Sequence, residues 1–115
     1  MATEEDVREL ALALPGTRED TWYGTPAYKV GGRGFLRWRT EAEGGLVVFV
    51  ADEGERQALL DANPVAFFTT PHYDGYAVVL VRVEALDRDE LAELVTESWR
   101  LKAPVRLRRE HDADS

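Results

Sequence analysis

Turn-forming residues recur at short intervals through the middle of the chain, and they constrain the fold more than any other feature of the sequence. The apolar segments between them have the length of strands or short helices. The turn signals are Pro15-Gly16, Gly24-Thr25-Pro26, Gly31-Gly32-Arg33-Gly34, Thr40–Gly45, Asn63-Pro64 and Asp74-Gly75. Strands joined by tight turns pair with their neighbours in sequence, so the pattern predicts a largely antiparallel sheet.

The segments between the turns predict six strands. They are Thr21–Tyr23, Ala27–Val30, Phe35–Arg39, Leu46–Val50, Ala66–Thr70 and Ala77–Val83. In the third strand, Leu36 and Trp38 share the face that we expect to point to the core. Phe35, Arg37 and Arg39 then alternate onto the solvent face. The fourth strand is apolar on both faces, which is typical of a central strand.

Amphipathic segments predict helices around this sheet. Apolar residues from Val7 to Leu14 recur at i, i+3, i+4 and i+7, the spacing of one helical face. The predicted helices run from about Glu4 to Leu14, from about Glu53 to Ala62, and from after Asp87 to Pro104, with Val105–Arg109 resuming the third and Glu110–Ser115 forming a frayed end. The order α-ββββ-α-ββ-α predicts one α+β domain over residues 1–115, a two-layer fold with the helices on one side of a largely antiparallel sheet.

The composition excludes several kinds of site. The chain has no cysteine, which excludes disulfides, thiolate metal sites and cysteine nucleophiles. Its two histidines, His72 and His111, do not supply a zinc ligand set, and no glycine-rich nucleotide motif is present, so we expect no metal and no cofactor. The first residues are acidic and lack an apolar run, which predicts a cytoplasmic protein with no signal peptide and no membrane span.

Charge is segregated along the chain. The formal net charge of −8 opposes nucleic-acid binding when it is taken alone. Residues 28–40 and 99–109, however, contain no acidic residue. Together they hold nine cations: Lys29, Arg33, Arg37, Arg39, Arg100, Lys102, Arg106, Arg108 and Arg109. The local field, rather than the sum of charges, determines what a surface attracts, so these two segments are candidates for binding an anion.

Three stretches of the sequence are similar to a known family. They are Pro15-Gly16-Thr17-Arg18-Glu19 with Trp22-Tyr23-Gly24-Thr25-Pro26-Ala27-Tyr28-Lys29-Val30, then Thr69-Thr70-Pro71-His72-Tyr73-Asp74-Gly75-Tyr76, and Glu97-Ser98-Trp99-Arg100 followed by Ala103-Pro104 and Arg106. In these stretches the chain resembles the MmcQ/YjbR-like family from its first helix to about Arg109. The resemblance implies a compact αβ fold with a double-wing arrangement described as DNA-binding, and it implies no catalytic mechanism.

The leading functional hypothesis is a binding protein that contacts DNA phosphates and by itself reads little of the DNA sequence. In this hypothesis a β-hairpin wing carries Lys29, Arg33, Arg37 and Arg39, and the basic end of the last helix supplies the other five cations. The same arginines also have an ordinary role, since cations complement the negative end of a helix dipole and pair with surface carboxylates.

The alternative is a small-molecule or protein-binding module with an aromatic pocket. The candidate pocket residues are Trp22, Tyr23, Tyr28, His72, Tyr73, Asp74, Tyr76 and Trp99. Rings near tight turns also pack over the edge of a core, which is the structural interpretation of the same residues. His72 and Asp74 are the one pair that suggests acid–base chemistry, and no nucleophile motif accompanies them, so we predict a non-enzymatic protein and favour a monomer.

Overall fold

The computed structural model describes residues 1–113. In chain order they form α1 (Glu4–Leu12), β1 (Thr17–Trp22), β2 (Thr25–Val30), β3 (Arg33–Trp38), β4 (Leu46–Phe49), α2 (Glu53–Ala62), β5 (Phe67–Phe68), β6 (Val78–Val81), α3 (Arg88–Lys102) and α4 (Val105–Ala113). Single 3₁₀ turns lie at Pro71–Tyr73 and Val83–Ala85. No helix in this part of the chain is long and apolar enough to cross a membrane.

The six strands form one antiparallel sheet in the order β1-β2-β3-β4-β6-β5. The helices pack on one face of this sheet, where α3 crosses β3 and β4 and α1 lies beside α3. Val7 of α1, Val95 and Trp99 of α3, and Leu107 of α4 join the inward-facing strand residues in the main core. The predicted α+β architecture is therefore confirmed.

Side-chain caps define where the helices begin. At α1, the Asp6 amide donates to Thr3 Oγ1 over 3.1 Å, and the Thr3 amide donates to the Asp6 carboxylate over 2.9 Å. Asp87 and Glu90 form the same reciprocal box at α3. Each box satisfies backbone amides that have no partner within the helix, so both starts could be predicted from local sequence.

A bulge in β3 changes which side chains face the core. Tyr28 pairs with Leu36 and Lys29 pairs with Gly34, so Phe35 has no partner on β2. A bulge turns two successive side chains toward the same side, and both Phe35 and Leu36 are fully buried. The prediction that Phe35 faces solvent was therefore wrong, because strict alternation does not hold across a bulge.

Ser98 of α3 fixes this bulge to the sheet. Its hydroxyl donates to the Phe35 carbonyl and accepts a hydrogen bond from the Phe49 amide over 3.1 Å. Ser98 is fully buried, so both backbone groups depend on it for a partner that water cannot replace. One polar residue in the helix thereby connects β3 with β4.

Two segments differ from the sequence-based boundaries by more than two residues. β1 begins at Thr17 rather than Thr21, because a polar edge strand that pairs on one side only lacks an apolar signal. The segment predicted as a frayed end continues α4 to Ala113. There the His111 ring lies 5.2 Å from the Trp99 ring, and Arg100 Nη1 lies 2.7 Å from Asp112 Oδ1. The last two residues, 114 and 115, lie outside the described part.

The sheet face opposite the helices carries a second, smaller apolar cluster. Val47, Val78 and Leu80 are buried there, with Phe49, Phe68 and Tyr73 packed against them. In the ladder, β4 and β6 lie side by side, and their alternate residues point to this face. The predicted two-sided apolar strand is thus explained, and no described helix covers this surface completely.

Candidate functional site

A cleft of about 750 Å³ opens on the sheet face that carries the smaller cluster. It is lined by Trp22, Tyr23, Lys29, Gly32, Arg33, Gly34, Arg37, Val47, Phe49, His72, Tyr73, Tyr76, Val78 and Lys102. The lining thus combines aromatic rings with four cations, and no carboxylate of residues 1–113 belongs to it. Pockets that bind small molecules have this size and this mixture of apolar walls and a few polar groups.

Trp22 forms the floor of the cleft at the end of β1. Its ring stacks on Phe49, with centroids 6.2 Å apart and an interplanar angle of 11°, and on Tyr23, with centroids 5.9 Å apart. The ring lies so close to β3 that a Cβ atom at Gly34 would be 2.3 Å from it. Glycine is therefore required at position 34 because the indole occupies the space of a side chain.

Tyr23 stands at the rim in an unfavourable backbone conformation. Its φ is 54°, and among residues 1–113 it is the one non-glycine residue with positive φ. A side chain in this region costs about 1–3 kcal/mol, and such strain concentrates at functional sites. The hairpin turn Tyr23-Gly24 usually prefers asparagine at its first position. Here the turn instead presents a ring that is 82% exposed.

Arg37 lies in the cleft and makes no contact ion pair with a carboxylate of the described residues. Its guanidinium donates to Thr25 Oγ1 over 2.9 Å and to the Tyr73 hydroxyl over 3.4 Å, and it lies 5.5 Å from the centre of the Tyr23 ring. No carboxylate in the described part of the chain lies within ion-pair distance of it. Neutral partners hold the side chain in position and leave the positive charge available to a ligand.

Both lysines of the chain line this cleft, and they differ in their partners. Lys29 Nζ lies 3.5 Å from Asp20 Oδ2. Lys102 Nζ lies 4.2 Å from the centre of the Phe49 ring and has no carboxylate partner among residues 1–113. Burial, with a contribution from the nearby Arg33, lowers the pKa of Lys102.

The structure brings together four of the nine cations predicted to bind nucleic acid. Lys29, Arg33 and Arg37 of the first segment meet Lys102 of the second in the cleft. Arg39 is instead held below the surface, where it donates to the Gly44 carbonyl over 3.1 Å and pairs with Glu43 over 3.6 Å.

The remaining cations of the second segment lie outside the cleft lining. Arg100 pairs with Asp112 on α4. Arg106, Arg108 and Arg109 belong to α4 itself, where Arg106 and Arg109 are exposed. The two basic segments therefore converge at one point rather than over one broad patch.

The structure places five of the eight predicted pocket residues in the lining of the cleft. Trp22, Tyr23, His72, Tyr73 and Tyr76 all line the cleft. His72 is exposed on the 3₁₀ turn, and its ring meets the Tyr73 ring edge-on at 4.9 Å. Asp74 is exposed next to this turn and does not belong to the lining, so the cleft does not combine it with His72.

Tyr28 and Trp99 do not belong to this pocket, which corrects the prediction. Both are buried in the main core on the helix side, with 3% and 0% of their surface exposed. Tyr28 alternates with Lys29 along β2, so when Lys29 faces the cleft Tyr28 must face the helices. Trp99 points inward from α3, and its Nε1 donates to the Pro15 carbonyl over 3.1 Å.

Sequence reasoning missed the strand residues that help to line the cleft. Val47, Phe49 and Val78 belong to strands that are apolar on both faces, and one of those faces had no predicted cover. That uncovered face was the available signal, because a two-layer fold with helices on one side leaves it open. Within residues 1–113 there is no group of three His, Asp or Glu residues placed to hold a metal ion.

Two of the segments that line this cleft, Trp22–Val30 and Pro71–Tyr76, belong to the stretches in which the sequence resembles a known family. The YjbR family model matches residues 12–101, which include every strand and most of α3. The chain belongs to the YjbR family. Relatives in Mycobacterium bovis and Mycobacterium tuberculosis, both named as uncharacterised proteins, are 37% identical over an alignment of 120 positions that covers 93% of either chain.

A solved YjbR-like structure has the same fold. The crystal structure of protein DR2400 from Deinococcus radiodurans, a DUF419 domain, superimposes with a TM-score of 0.76. The match covers 96% of this chain and 88% of that one at 24% sequence identity. At this identity the likeness establishes the fold of the YjbR chain, while the function must be argued from its own cleft.

Proposed function

We propose that this chain is a non-enzymatic binding protein whose cleft holds a nucleotide unit, with the base against the aromatic floor and the phosphate at the unpaired cations. The observation that carries the proposal is the composition of the cleft: four cations and no carboxylate of residues 1–113, in a chain of net charge −8. Such a concentration of one sign against the average of the whole chain favours an anionic ligand.

The aromatic residues of the cleft would bind the base of the nucleotide. A base that stacks on a protein ring gains about 1–3 kcal/mol, and every base has the flat face that this requires. Tyr23 stacks on Trp22 with their ring planes 17° apart, and the Tyr23 ring is 82% exposed, so this stack presents a flat aromatic surface at the rim of the cleft. Arg37 lies 5.5 Å from the centre of the Tyr23 ring, which brings a cation beside that surface. A guanidinium fork can then pair two phosphate oxygens.

Charge and shape favour a short ligand over a long duplex. Duplex DNA presents a phosphate about every 1.7 Å of its axis, and binding to it requires cations distributed over a broad surface. Only four of the nine predicted cations meet in the cleft, and Lys29 among them is paired with Asp20. We therefore propose a short ligand in place of duplex DNA: either a free nucleotide or the unpaired end of a strand, both of which present a base and a phosphate.

Trp22 fluorescence provides a direct test. We expect adenosine 5′-monophosphate to quench the protein, and Trp22→Phe to remove most of the quenching because Trp38 and Trp99 do not line the cleft. Arg37→Gln should weaken binding about 10- to 150-fold, since a hydrogen bond to a charged group contributes about 1.5–3 kcal/mol. Arg109→Gln is the matched control, because Arg109 is an exposed arginine outside the cleft.

The same titration distinguishes the two sources of the nucleotide. If the ligand is free, a hexamer of deoxythymidine should bind no more tightly than its monophosphate. If the ligand is a strand end, the hexamer should bind more tightly, and log K should fall with log salt by about 0.7 for each phosphate contacted. A blunt duplex should bind more weakly than either. Equal loss of affinity in Arg37→Gln and Arg109→Gln, or no binding of any probe at millimolar concentration, would refute the proposal.

A further inference from the structure

Lys102 has an environment that differs from that of every other amine of the chain. Its amine lies over the Phe49 ring at the end of α3, inside the cleft, and has no carboxylate partner among the described residues. Burial and the neighbouring Arg33 lower its pKa, so a larger share of the amine is neutral than for an exposed lysine. The neutral amine is the nucleophile that attacks carbonyl groups, and a lysine is activated in this way when it is desolvated or lies beside another cation.

We infer that Lys102 is a selectively reactive amine that captures anionic aromatic aldehydes as imines. The inference rests on the proposed function, because the ring and charge of such an aldehyde would be held by the same cleft. Arg33 and Arg37 would bind the anionic group, and the ring would lie toward the floor formed by Trp22. The aldehyde carbon would then be held beside the Lys102 nitrogen.

The step balances without an oxidant or a reductant. The neutral nitrogen of Lys102 adds to the aldehyde carbon, and one of the two nitrogen protons moves to the aldehyde oxygen through water to give a carbinolamine. The nitrogen then loses a proton, and the hydroxyl leaves as water to form the C=N bond. The net reaction joins one aldehyde and one amine and releases one water, and it is reversible. Nothing in it requires a group that the cleft lacks.

Lys29 supplies an internal comparison in the same cleft. Its amine lies 3.5 Å from the Asp20 carboxylate and is held in an ion pair, whereas Lys102 has no carboxylate partner among residues 1–113. Lys29 and Lys102 are the only lysines of the sequence, so the chain has just one further amine, at its N-terminus. Three amines can be resolved individually by mass spectrometry after proteolysis.

The probe is pyridoxal 5′-phosphate, which combines an aldehyde, an aromatic ring and a phosphate. The full chain is incubated with limiting probe, reduced with borohydride to fix any imine, and mapped by peptide mass. We expect one adduct per chain, at Lys102, with a preference of about tenfold over Lys29, because the bound phosphate holds the aldehyde in the cleft and only the Lys29 amine is engaged there in an ion pair, with Asp20. The adduct should disappear in Lys102→Arg and persist in Lys29→Arg, with circular dichroism confirming that both variants are folded.

Protection by adenosine 5′-monophosphate separates this inference from the proposed function. If the nucleotide binds in its own titration but the three amines react equally, the inference is wrong and the proposed function stands. If Lys102 reacts selectively but the nucleotide neither binds nor protects, the reactive amine is supported and the nucleotide proposal is wrong. Selective labelling that the nucleotide suppresses supports both, and uniform labelling with no nucleotide binding overturns both.

Discussion

The contact between Gly34 and Trp22 gives the sharpest prediction about the cleft. An added Cβ at Gly34 would lie 2.3 and 2.4 Å from two atoms of the Trp22 ring, whereas ordinary contacts begin near 3.4 Å. In Gly34→Ala the indole must therefore retreat by about 1 Å, which takes it off its stack with Phe49. The backbone itself is not a barrier, since Gly34 has no positive φ.

The size of the effect follows from the half-buried position of Trp22. Overpacking costs about 1–3 kcal/mol, and the lower half of that range applies because the ring can swing toward solvent. For a chain of this length each kcal/mol lowers Tm by about 4 °C, so we expect a decrease of about 4–8 °C. Affinity for adenosine 5′-monophosphate should fall about tenfold or more, because the stacking surface is displaced.

Thermal unfolding and nucleotide titration of the same variant check both parts. Gly54→Ala is the matched control, since it adds the same methyl group within α2, where the nearest atom is Asp52 Oδ1 at 3.3 Å. Alanine is the better helix former by about 1 kcal/mol, so the control should unfold at the same temperature or higher. A Gly34→Ala protein with the Tm and affinity of the parent would show that Trp22 does not lie on β3.

Two further predictions concern the core. Ser98→Ala leaves the Phe35 carbonyl and the Phe49 amide without a partner, and it should reduce the free energy of unfolding by about 2–4 kcal/mol in urea, whereas exposed Glu97→Ala should change it by less than about 0.5 kcal/mol. Equal effects of the two changes would contradict the bridging role of Ser98. Burial raises the pKa of Tyr28 to about 12 from the ordinary tyrosine value of about 10, so the folded chain keeps its phenol neutral at a pH where the unfolded chain ionises. Stability should fall as pH rises from about 10 to 12, and urea midpoints of Tyr28→Phe should lack this component; parallel curves for the two proteins would count against it.

The starts of α1 and α3 could be predicted because the residues that fix them are close together in the sequence. The capping boxes at Thr3 and Asp87 act within four residues, so they could be recognised without knowing the rest of the fold. Two departures depend on distant contacts instead. The helical end of the chain is held by Trp99 and Arg100, and the bulge at Phe35 is held by Ser98, 63 residues away. No short window of sequence contains both partners of such a contact.

The sequence indicated which types of residue line the candidate site, aromatic residues and cations, but it did not show which of those residues face the cleft. The aromatic residues of the Pro71–Tyr76 loop were identified as candidates for a ligand pocket, and Lys29, Arg33 and Arg37 were identified as candidates for binding phosphates. Strand alternation could have separated Tyr28 from Lys29, because neighbouring side chains in a strand face opposite sides. It could not have shown that Arg39 turns back to the Gly44 carbonyl, since that depends on the conformation of the following loop. Local charge was therefore visible in the sequence, but its pairing was not.

The cleft lies over the part of the smaller apolar cluster that the rest of the chain leaves uncovered. Helices cover one face of the sheet, so the apolar residues that β4 and β6 present to the other face need a separate cover. Arg82 lies 4.2 Å from the centre of the Phe68 ring at the β5 side, and Tyr73 packs over the middle. Phe49 stays half-buried at the end next to Trp22. A flat ring placed there would extend the apolar cover while its charge met the unpaired cations, so the incomplete packing of this face and the proposed recognition have one physical origin.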